Sequence, residues 1–408
     1  MLNLIWSGFF AVTFIYALYQ TLFLDNIGIW NLLVTSSFEA AKGAFEICLN
    51  LTGILCLWLG LLKIAEASGL TSLLAKFLNP LFRKIMPDVP SNSPAIGSMV
   101  MNIAANMLGL DNAATPMGLK AMEQLQELNP SSKTASRAQQ LFMVINSSAV
   151  TIIPITILMY RSELGATNPA AVFIPILLAT SVSTLVGFLS IATVQRLNIF
   201  NWVVLSYVGL AVGFVIIISL WFSGLSPEAR LTYASAIGNF ILFSFMILFV
   251  ASGMIKKLNV YDKFIEGAKE GFFVAVKIIP YLVAMLVAIA VLRTGGLLDA
   301  MIQCFEKFFK LLNMDTDFVA ALPTAIMKPL SGSGARAMMI ETMQTHGADS
   351  FSGFVSSVVQ GSTETTFYVL SLYFGAVGIT KVGAALPCAL LADLAGIVSA
   401  IYFSYIFY

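Results

Sequence analysis

The stretch Gly69-Leu-Thr-Ser-Leu-Leu-Ala-Lys-Phe-Leu-Asn-Pro-Leu-Phe-Arg-Lys-Ile-Met-Pro-Asp88 has a counterpart 227 residues later in the chain. The counterpart reads Gly296-Leu-Leu-Asp-Ala-Met-Ile-Gln-Cys-Phe-Glu-Lys-Phe-Phe-Lys-Leu-Leu-Asn-Met-Asp315. Both stretches begin with Gly-Leu, mix basic with apolar residues, and precede a semi-polar segment flanked by long apolar runs. Ala41-Lys42 recurs as Ala268-Lys269 at the same offset. Two related halves with polar interruptions at matching places are typical of secondary transporters.

Composition indicates a membrane protein. The chain is 58% hydrophobic and 11% charged, with a mean hydropathy of +0.88, whereas soluble domains carry about 25% charged residues. A net charge of +1 gives no reason to expect nucleic acid as a partner. The single histidine and the four scattered cysteines, none in a CxxC motif, predict neither a metal site nor a cofactor.

Apolar runs of about 20 residues predict about nine transmembrane helices. They cover residues 2–24, 47–65, 140–160, 168–192, 202–224, 232–254, 273–293, 351–375 and 383–407. Four amphipathic segments are expected to lie along the membrane interface: residues 29–46, 68–86, 257–271 and 297–312. Residues 92–128 and 317–346 are too polar to cross lipid alone and are expected to form re-entrant hairpins, which need protein or water around them.

The predicted fold class is an all-α polytopic membrane protein built from two inverted repeats. The first repeat occupies residues 1–200, a connecting transmembrane helix lies in residues 201–231, and the second repeat occupies residues 232–408. The single connecting helix turns the second repeat upside down relative to the first. Most loop Lys and Arg residues fall on the side of the N-terminus, which predicts a cytoplasmic N-terminus in the bacterial inner membrane.

In the first half, the candidate site lies in the run from Asn102 to Pro116. Asn102 and Asn106 are four residues apart and share one helix face. Asp111-Asn112 is expected at the hairpin tip, where the amide groups of the second arm would point to an anion or a carbonyl oxygen. The alternative is that the two asparagines only join helices.

The third predicted span carries Asn146-Ser147-Ser148, Thr151 and Pro154. Pro154 removes a backbone hydrogen bond and frees a carbonyl group. Freed carbonyls and hydroxyls in mid-membrane suit a cation or a polar solute. The alternative is a proline kink in which the hydroxyls bond to their own helix.

The second hairpin has its expected tip at Lys328-Pro329-Leu330-Ser331-Gly332-Ser333-Gly334, before a helix expected to begin near Ala335. Such a turn exposes consecutive amide and hydroxyl groups, which form a nest for anionic oxygen. Lys328 and Arg336 either add positive charge there or extend to the membrane surface.

The strongest candidate is Gln360-Gly361-Ser362-Thr363-Glu364-Thr365-Thr366, within the predicted span 351–375. A carboxylate in mid-membrane costs a few kcal/mol and persists by pairing, protonation or cation binding. For Glu364 the alternative is a salt bridge to Lys328 or Arg336, and for Asp393, in the last span, a structural role is equally open. The predicted substrate-binding residues are Asn102, Asn106, Asp111, Asn112, Asn146, Ser147, Ser331, Ser333, Gln360, Ser362, Glu364 and Thr365.

These residues also carry a family resemblance. The runs Asn102–Met122 and Val144–Ser148 resemble spore maturation protein A, and the runs Pro329–Gly334 and Gln360–Tyr368 resemble spore maturation protein B. The likeness covers nearly the whole chain and indicates a fusion of the two. Both belong to the nucleoside-recognition, or Gate, superfamily, which includes the membrane part of ferrous iron transporter B and resembles concentrative nucleoside transporters. The resemblance implies nucleoside binding.

The sequence therefore predicts a membrane transporter of a small polar solute, nucleoside-like or a small anion, with Glu364 coupling to a cation or proton. The alternative is a non-transporting scaffold for spore or envelope maturation, which would have no use for a costly intramembrane glutamate. Enzymes are disfavoured, since the chain has no HExxH or Gly-x-Ser-x-Gly motif and no paired intramembrane aspartates. The expected partners are the lipid bilayer, the solute, a coupling ion and, left open, a second copy.

Overall fold

The computed structural model describes residues 2–90 and 93–408, without the side chains of residues 2–3 and 111–113. This part of the chain consists of α-helices and two short 3₁₀ segments, with no β-strand. The first half contains α1 (Leu2–Phe23), α2 (Ile29–Ser68), α3 (Leu70–Ile85), α4 (Pro94–Met107), α5 (Asp111–Glu127), α6 (Arg137–Ser147), α7 (Ile155–Glu163) and α8 (Phe173–Val194). The connector is α9 (Trp202–Ser223).

The second half repeats the order of the first. It contains α10 (Pro227–Ile255), α11 (Val260–Thr294), α12 (Leu297–Leu311), α13 (Leu322–Met327), α14 (Gly332–His346), α15 (Phe351–Gly361), α16 (Thr366–Ala376) and α17 (Ala385–Phe407). Each half thus has two long helices, an amphipathic helix, a hairpin of two helices, two short helices separated by a break, and a final long helix. The repeat read from the sequence is therefore visible as a repeated order of elements.

Within the described residues, seven helices are long and apolar enough to cross a membrane: α1, α2, α8, α9, α10, α11 and α17. The protein is therefore an all-α polytopic membrane protein, as predicted. The other two predicted spans are not continuous helices, because residues 148–154 interrupt the first and residues 362–365 the second. Pro154 lacks an amide hydrogen, and the Ser and Thr side chains of the second break compete for backbone groups.

The amphipathic segments divide into two kinds. α3 and α12 are separate helices, each preceded by a glycine with positive φ, 84° at Gly69 and 83° at Gly296, a conformation that other residues rarely adopt. The expectation of separate segments at 29–46 and 257–271 is wrong, since both are continuous with the following spans. No proline stands at either junction, so α2 extends over 40 residues and α11 over 35. At 1.5 Å per residue they are about 60 and 50 Å long.

Glycines allow α2 and α11 to pack in direct backbone contact. A Cβ atom added to Gly267 would lie 2.3 Å from Leu59 O, and one added to Gly271 would lie 2.7 Å from Leu55 O. The contact partners thus run in opposite order along the two helices, which are antiparallel. Because α2 and α11 are equivalent members of the two halves, this is the orientation that an inverted repeat requires.

The last helices of the two halves, α8 and α17, pack in the same way. Ser183 Oγ donates to Ala392 O at 2.9 Å, and Cβ atoms added to Gly187 and Gly396 would lie 3.0 Å from Ala392 Cβ and 3.1 Å from Ser183 Cβ. These helices are also antiparallel. Two pairs of equivalent helices therefore bring the two breaks towards the same region of the protein.

Candidate functional site

In each half, the backbone at the break is hydrogen-bonded to the backbone at the hairpin tip. Ile152 N, in the first break, donates to Met107 O next to the first tip at 2.9 Å. Phe367 N, in the first turn of α16 directly after the second break, donates to Pro329 O in the second tip at 3.1 Å. These bonds satisfy amide groups that the interruption of a helix leaves without a partner. The same contact in both halves makes the meeting of tip and break a property of the repeat.

One backbone hydrogen bond joins the break of the second half to the first half, and further contacts hold tip and break together within each half. Glu364 N, in the second break, donates to Ser147 O at the end of α6, at 2.9 Å. In the second half, a Cβ atom added to Gly332 would lie 2.8 Å from Thr365 Oγ1, so the second tip touches the second break. In the first half, Asn106 Nδ2 donates to Asn146 Oδ1 at 3.0 Å.

A cavity of about 140 Å³ lies where the two tips and the two breaks meet. Its lining residues are Asn106, Gly109, Thr151, Ile153, Pro154, Ile155, Thr156, Ile157, Lys328, Gly332, Arg336, Gln360, Gly361, Thr363, Glu364 and Thr365. The volume holds about four or five water molecules at ~30 Å³ each. It is smaller than the ~300 Å³ at which pockets for drug-sized ligands begin.

Three charged side chains line this cavity: Lys328, Arg336 and Glu364. Lys328 is 5% exposed, and the Arg336 guanidinium lies 5.8 Å from the centre of the Tyr160 ring. Among the described residues, no ion pair includes any of the three. The salt bridge considered for Glu364 from the sequence is therefore not formed, and the charges remain available to a ligand.

Two buried polar atoms at the cavity lack hydrogen-bond partners in the described part of the chain. They are Gln360 Oε1 and Thr363 Oγ1, on residues that are 6% and 4% exposed. Buried polar groups are nearly always paired. The open amide oxygen of Gln360 is ready to accept a hydrogen bond from a polar solute, whereas the Thr363 hydroxyl also interacts with Asp393 on α17.

Four of the predicted site residues line the cavity: Asn106, Gln360, Glu364 and Thr365. The sequence placed Glu364 and Thr365 within a continuous helix. In the structure both lie in the second break. No group of three or more His, Cys, Asp or Glu side chains that could hold a metal ion occurs in the described residues.

Three predicted residues of the first half support the site without lining it. Asn102 Nδ2 donates to Ala114 O at 2.8 Å and to Tyr373 Oη at 3.3 Å. Asn146 accepts from Asn106 as described above, and its own Nδ2 donates to Phe142 O at 3.0 Å. Ser147 Oγ donates to Met143 O at 2.9 Å. Asn102 thus joins α4 to α5 and α16, and its role in substrate binding stays a prediction.

The predicted serines of the second half serve their own helices. Ser331 Oγ accepts from Gly334 N at 3.0 Å and lies 3.2 Å from Ser333 Oγ. Ser362 Oγ donates to Val359 O at 2.8 Å. Because a serine N-cap stabilises the first turn that follows it, α14 begins at Gly332 and not near Ala335.

The first tip lies earlier than the sequence indicated. The turn is Leu108–Leu110, with Gly109 at φ 74°, and Asp111-Asn112 begins α5. Pro116 is the sixth residue of α5 and has no amide hydrogen to donate to the helix at that place. The side chains of Asp111 and Asn112 lie outside the described residues, so their binding role stays a prediction.

Tyr373 on α16 was not among the residues predicted from the sequence, although it contacts the first hairpin. A Cβ atom added to Gly118 would lie 2.5 Å from its ring, and its hydroxyl accepts from Asn102. Tyr373 thereby connects the first hairpin to the second half across 271 residues of sequence. No local pattern carries such a contact.

Alanine substitutions should separate the two asparagines of α4. We expect Asn102→Ala to lower stability by about 1–3 kcal/mol, because it leaves buried partners unsatisfied, and to leave ligand affinity unchanged. Asn106→Ala should weaken ligand binding, with a smaller effect on stability. Thermal unfolding and ligand titration of both variants provide the measurement, and equal loss of affinity in both would contradict this assignment.

The chain matches known proteins over the same elements. A family model described as nucleoside recognition, Gate, matches residues 48–167 and 275–380, which include both hairpins and both breaks. Spore maturation protein B of Bacillus subtilis (strain 168) is 48% identical over 149 residues, which are 36% of this chain and 82% of that protein. Spore maturation protein A of the same organism is 37% identical over 183 residues, 45% of this chain and 90% of that protein. No solved structure matches the chain.

Proposed function

This chain belongs to the nucleoside-recognition Gate family, and from that premise we propose that it transports a small polar solute across the bacterial cytoplasmic membrane. One observation carries the proposal: both hairpin tips and both helix breaks line one cavity, and its three charged side chains form no ion pair within the described part of the chain. Interrupted helices at a repeat interface are how secondary transporters bind their solutes. The N-terminus is proposed to be cytoplasmic.

The side chains at the cavity favour a solute with both acceptor and donor groups. Lys328 and Arg336 would bind an anionic or carbonyl oxygen. Gln360 Oε1 and the Glu364 carboxylate would accept from hydroxyl or amine groups. A nucleoside or a small anion meets these requirements. A small anion fits about 140 Å³ directly, whereas a nucleoside requires the tips to move apart.

A second cavity adjoins the first. It has a volume of about 120 Å³ and shares Gly109, Ile155 and Thr156 with the central cavity. Its lining includes Lys63 and Glu270, which form an ion pair at 2.9 Å between α2 and α11. We propose that solute enters or leaves through this second cavity when α2 and α11 shift near that ion pair.

The alternative of a scaffold takes its support from the names of the two relatives, which refer to spore maturation. A scaffold has no need for two cations and a carboxylate around one cavity that form no ion pair within the described residues. Solute binding therefore separates the two functions.

The test is a thermal-shift screen of the purified protein against nucleosides, small dicarboxylates and divalent ions, followed by uptake of stabilising compounds into proteoliposomes. Lys328→Met should weaken binding by about tenfold to a hundredfold, since a hydrogen bond to a charged group contributes about 1.5–3 kcal/mol. Lys120→Met, at an exposed position on α5, is the matched control. Stabilisation by no compound, together with intact maturation in cells, would favour the scaffold.

A further inference from the structure

Asp393, on α17, is a buried carboxylate that the proposed solute site does not use. It is 1% exposed, and in the described part of the chain no donor makes a hydrogen bond of ordinary geometry to either carboxylate oxygen. Buried charged groups are otherwise paired, neutralised or bound to ions. A buried carboxylate without an ion-pair partner among the described residues therefore points to a bound species.

Two threonine hydroxyls converge on this carboxylate. Thr363 lies in the second break and Thr366 begins α16, and both interact with Asp393. They are 4% and 0% exposed, and each hydroxyl interacts with the carboxylate without reaching ordinary hydrogen-bond geometry. A Cβ atom added to Gly396 would lie 2.5 Å from Thr363 Cγ2, so α17 is tightly packed against the break.

The charged groups that act on Asp393 from neighbouring elements are Lys328 and Glu364. Neither forms an ion pair with it at 4 Å or less in the described structure. Lys328 and Glu364 both line the solute cavity. Asp393 therefore lies behind that cavity, with Thr363 as the residue common to both groups.

The first half shows which side chain is sufficient to pack the last helix of a half against its break. The equivalent helix, α8, has no charged residue. There the Thr184 hydroxyl donates to Ser148 O at the first break. A hydroxyl is thus sufficient to pack the last helix of a half against its break, and the carboxylate of Asp393 exceeds that need.

We propose that Asp393, Thr363 and Thr366 form the binding site for a monovalent coupling cation, Na⁺ or a proton. The donors are all oxygens, which hard cations prefer, and one positive charge neutralises the single carboxylate. A divalent ion would leave an uncompensated charge in a dry site, near Lys328. This inference rests on the proposed transport function, for which it supplies the coupling ion.

The position of Thr363, between Asp393 and the solute cavity, couples cation binding to solute binding. A cation that orders its hydroxyl also fixes one wall of the solute cavity, so cation and solute each increase the affinity for the other. Such coupling is reciprocal and typically amounts to 5- to 150-fold, about 1–3 kcal/mol.

The test measures binding in detergent and needs no transport. Thermal stability of the full chain is recorded against NaCl, with choline chloride holding the ionic strength constant, and separately against pH. We expect saturable stabilisation of the wild type in one of these two arms, Na⁺ or protons, and its loss in Asp393→Asn. Asp25→Asn is the matched control, because Asp25 is exposed and its φ of 54° is one that asparagine tolerates.

Thr366→Val is the second variant, in case Asp393→Asn does not fold. It removes one oxygen donor and should shift the Na⁺ or proton dependence by at least about tenfold in concentration, as expected for the loss of a hydrogen bond to a charge. The proposal is overturned if both dependences match the wild type in the variants, or if the wild type shows neither. Cation binding without any solute uptake would instead count against the proposed function and leave this site in place.

Discussion

Replacing Glu364 by glutamine should leave the protein folded and inserted but reduce solute uptake by at least about tenfold. Glu364 faces the cavity, and its side chain forms no ion pair with the described residues. Its amide remains bonded to Ser147 O, since only the side chain changes. Glutamine keeps the shape and removes the charge, and so removes a charge-assisted hydrogen bond of about 1.5–3 kcal/mol.

Uptake into proteoliposomes at several pH values and Na⁺ concentrations measures this effect. The dependence on pH or on the cation should shift, because Glu364 acts electrostatically on both Lys328 and Asp393. Glu127→Gln, at the exposed end of α5, is the control. Wild-type uptake with unchanged ion dependence in Glu364→Gln would make Glu364 a structural residue.

Gly267→Leu should prevent recovery of the folded protein. A Cβ atom at this position would lie 2.3 Å from Leu59 O, 2.6 Å from Lys63 Cβ and 2.9 Å from Gly60 Cα. Two of these atoms belong to the backbone of α2 and cannot rotate away. Overpacking in a core usually costs about 1–3 kcal/mol, and leucine adds three further carbon atoms to the clash.

Size-exclusion chromatography and thermal unfolding in detergent check this expectation. Gly53→Leu, on α2, is the matched control because a Cβ atom there meets nothing within 4 Å. It should be recovered as a monodisperse protein. Equal stability of the two variants would show that α2 and α11 are not in close contact, and would remove the main structural support for the inverted repeat.

The sequence predicted well those features that local patterns determine. Gly69 and Gly296 start α3 and α12 because a turn with positive φ favours glycine, and the mixture of Lys with Leu and Phe follows the helical period. The two hairpins are recognisable because their Gly, Pro and Asn residues interrupt apolar sequence. Local chemistry is enough to place such elements.

Features that depend on distant contacts could not be predicted in the same way. The polar run at Glu364 is compatible with a helix or a break, and the bond from Phe367 N to Pro329 O favours the break. Asn102 and Asn106 share a helix face, yet one contacts Tyr373 and the other lines the cavity. Two residues on one helix face can therefore lie in different surroundings.

The junctions within α2 and α11 show a different limit. The charges of the first part of α2, such as Lys42 and Glu46, end the apolar run and suggested a separate interfacial element. Those two residues form an i,i+4 ion pair at 3.7 Å on the exposed surface of the continuous helix. A change in polarity along a helix marks a change in what surrounds the helix. It does not mark the end of the helix.

Transport as proposed requires the cavity between the two halves to open in turn to each side of the membrane. Thr365 lines this cavity and is 5% exposed, so Thr365→Cys in a chain lacking Cys48, Cys56, Cys304 and Cys388 is the most direct probe. A charged, membrane-impermeant thiol reagent is applied to right-side-out and to inside-out vesicles. Alternating access predicts modification from both sides; modification from neither side, or from one side only, would rule it out.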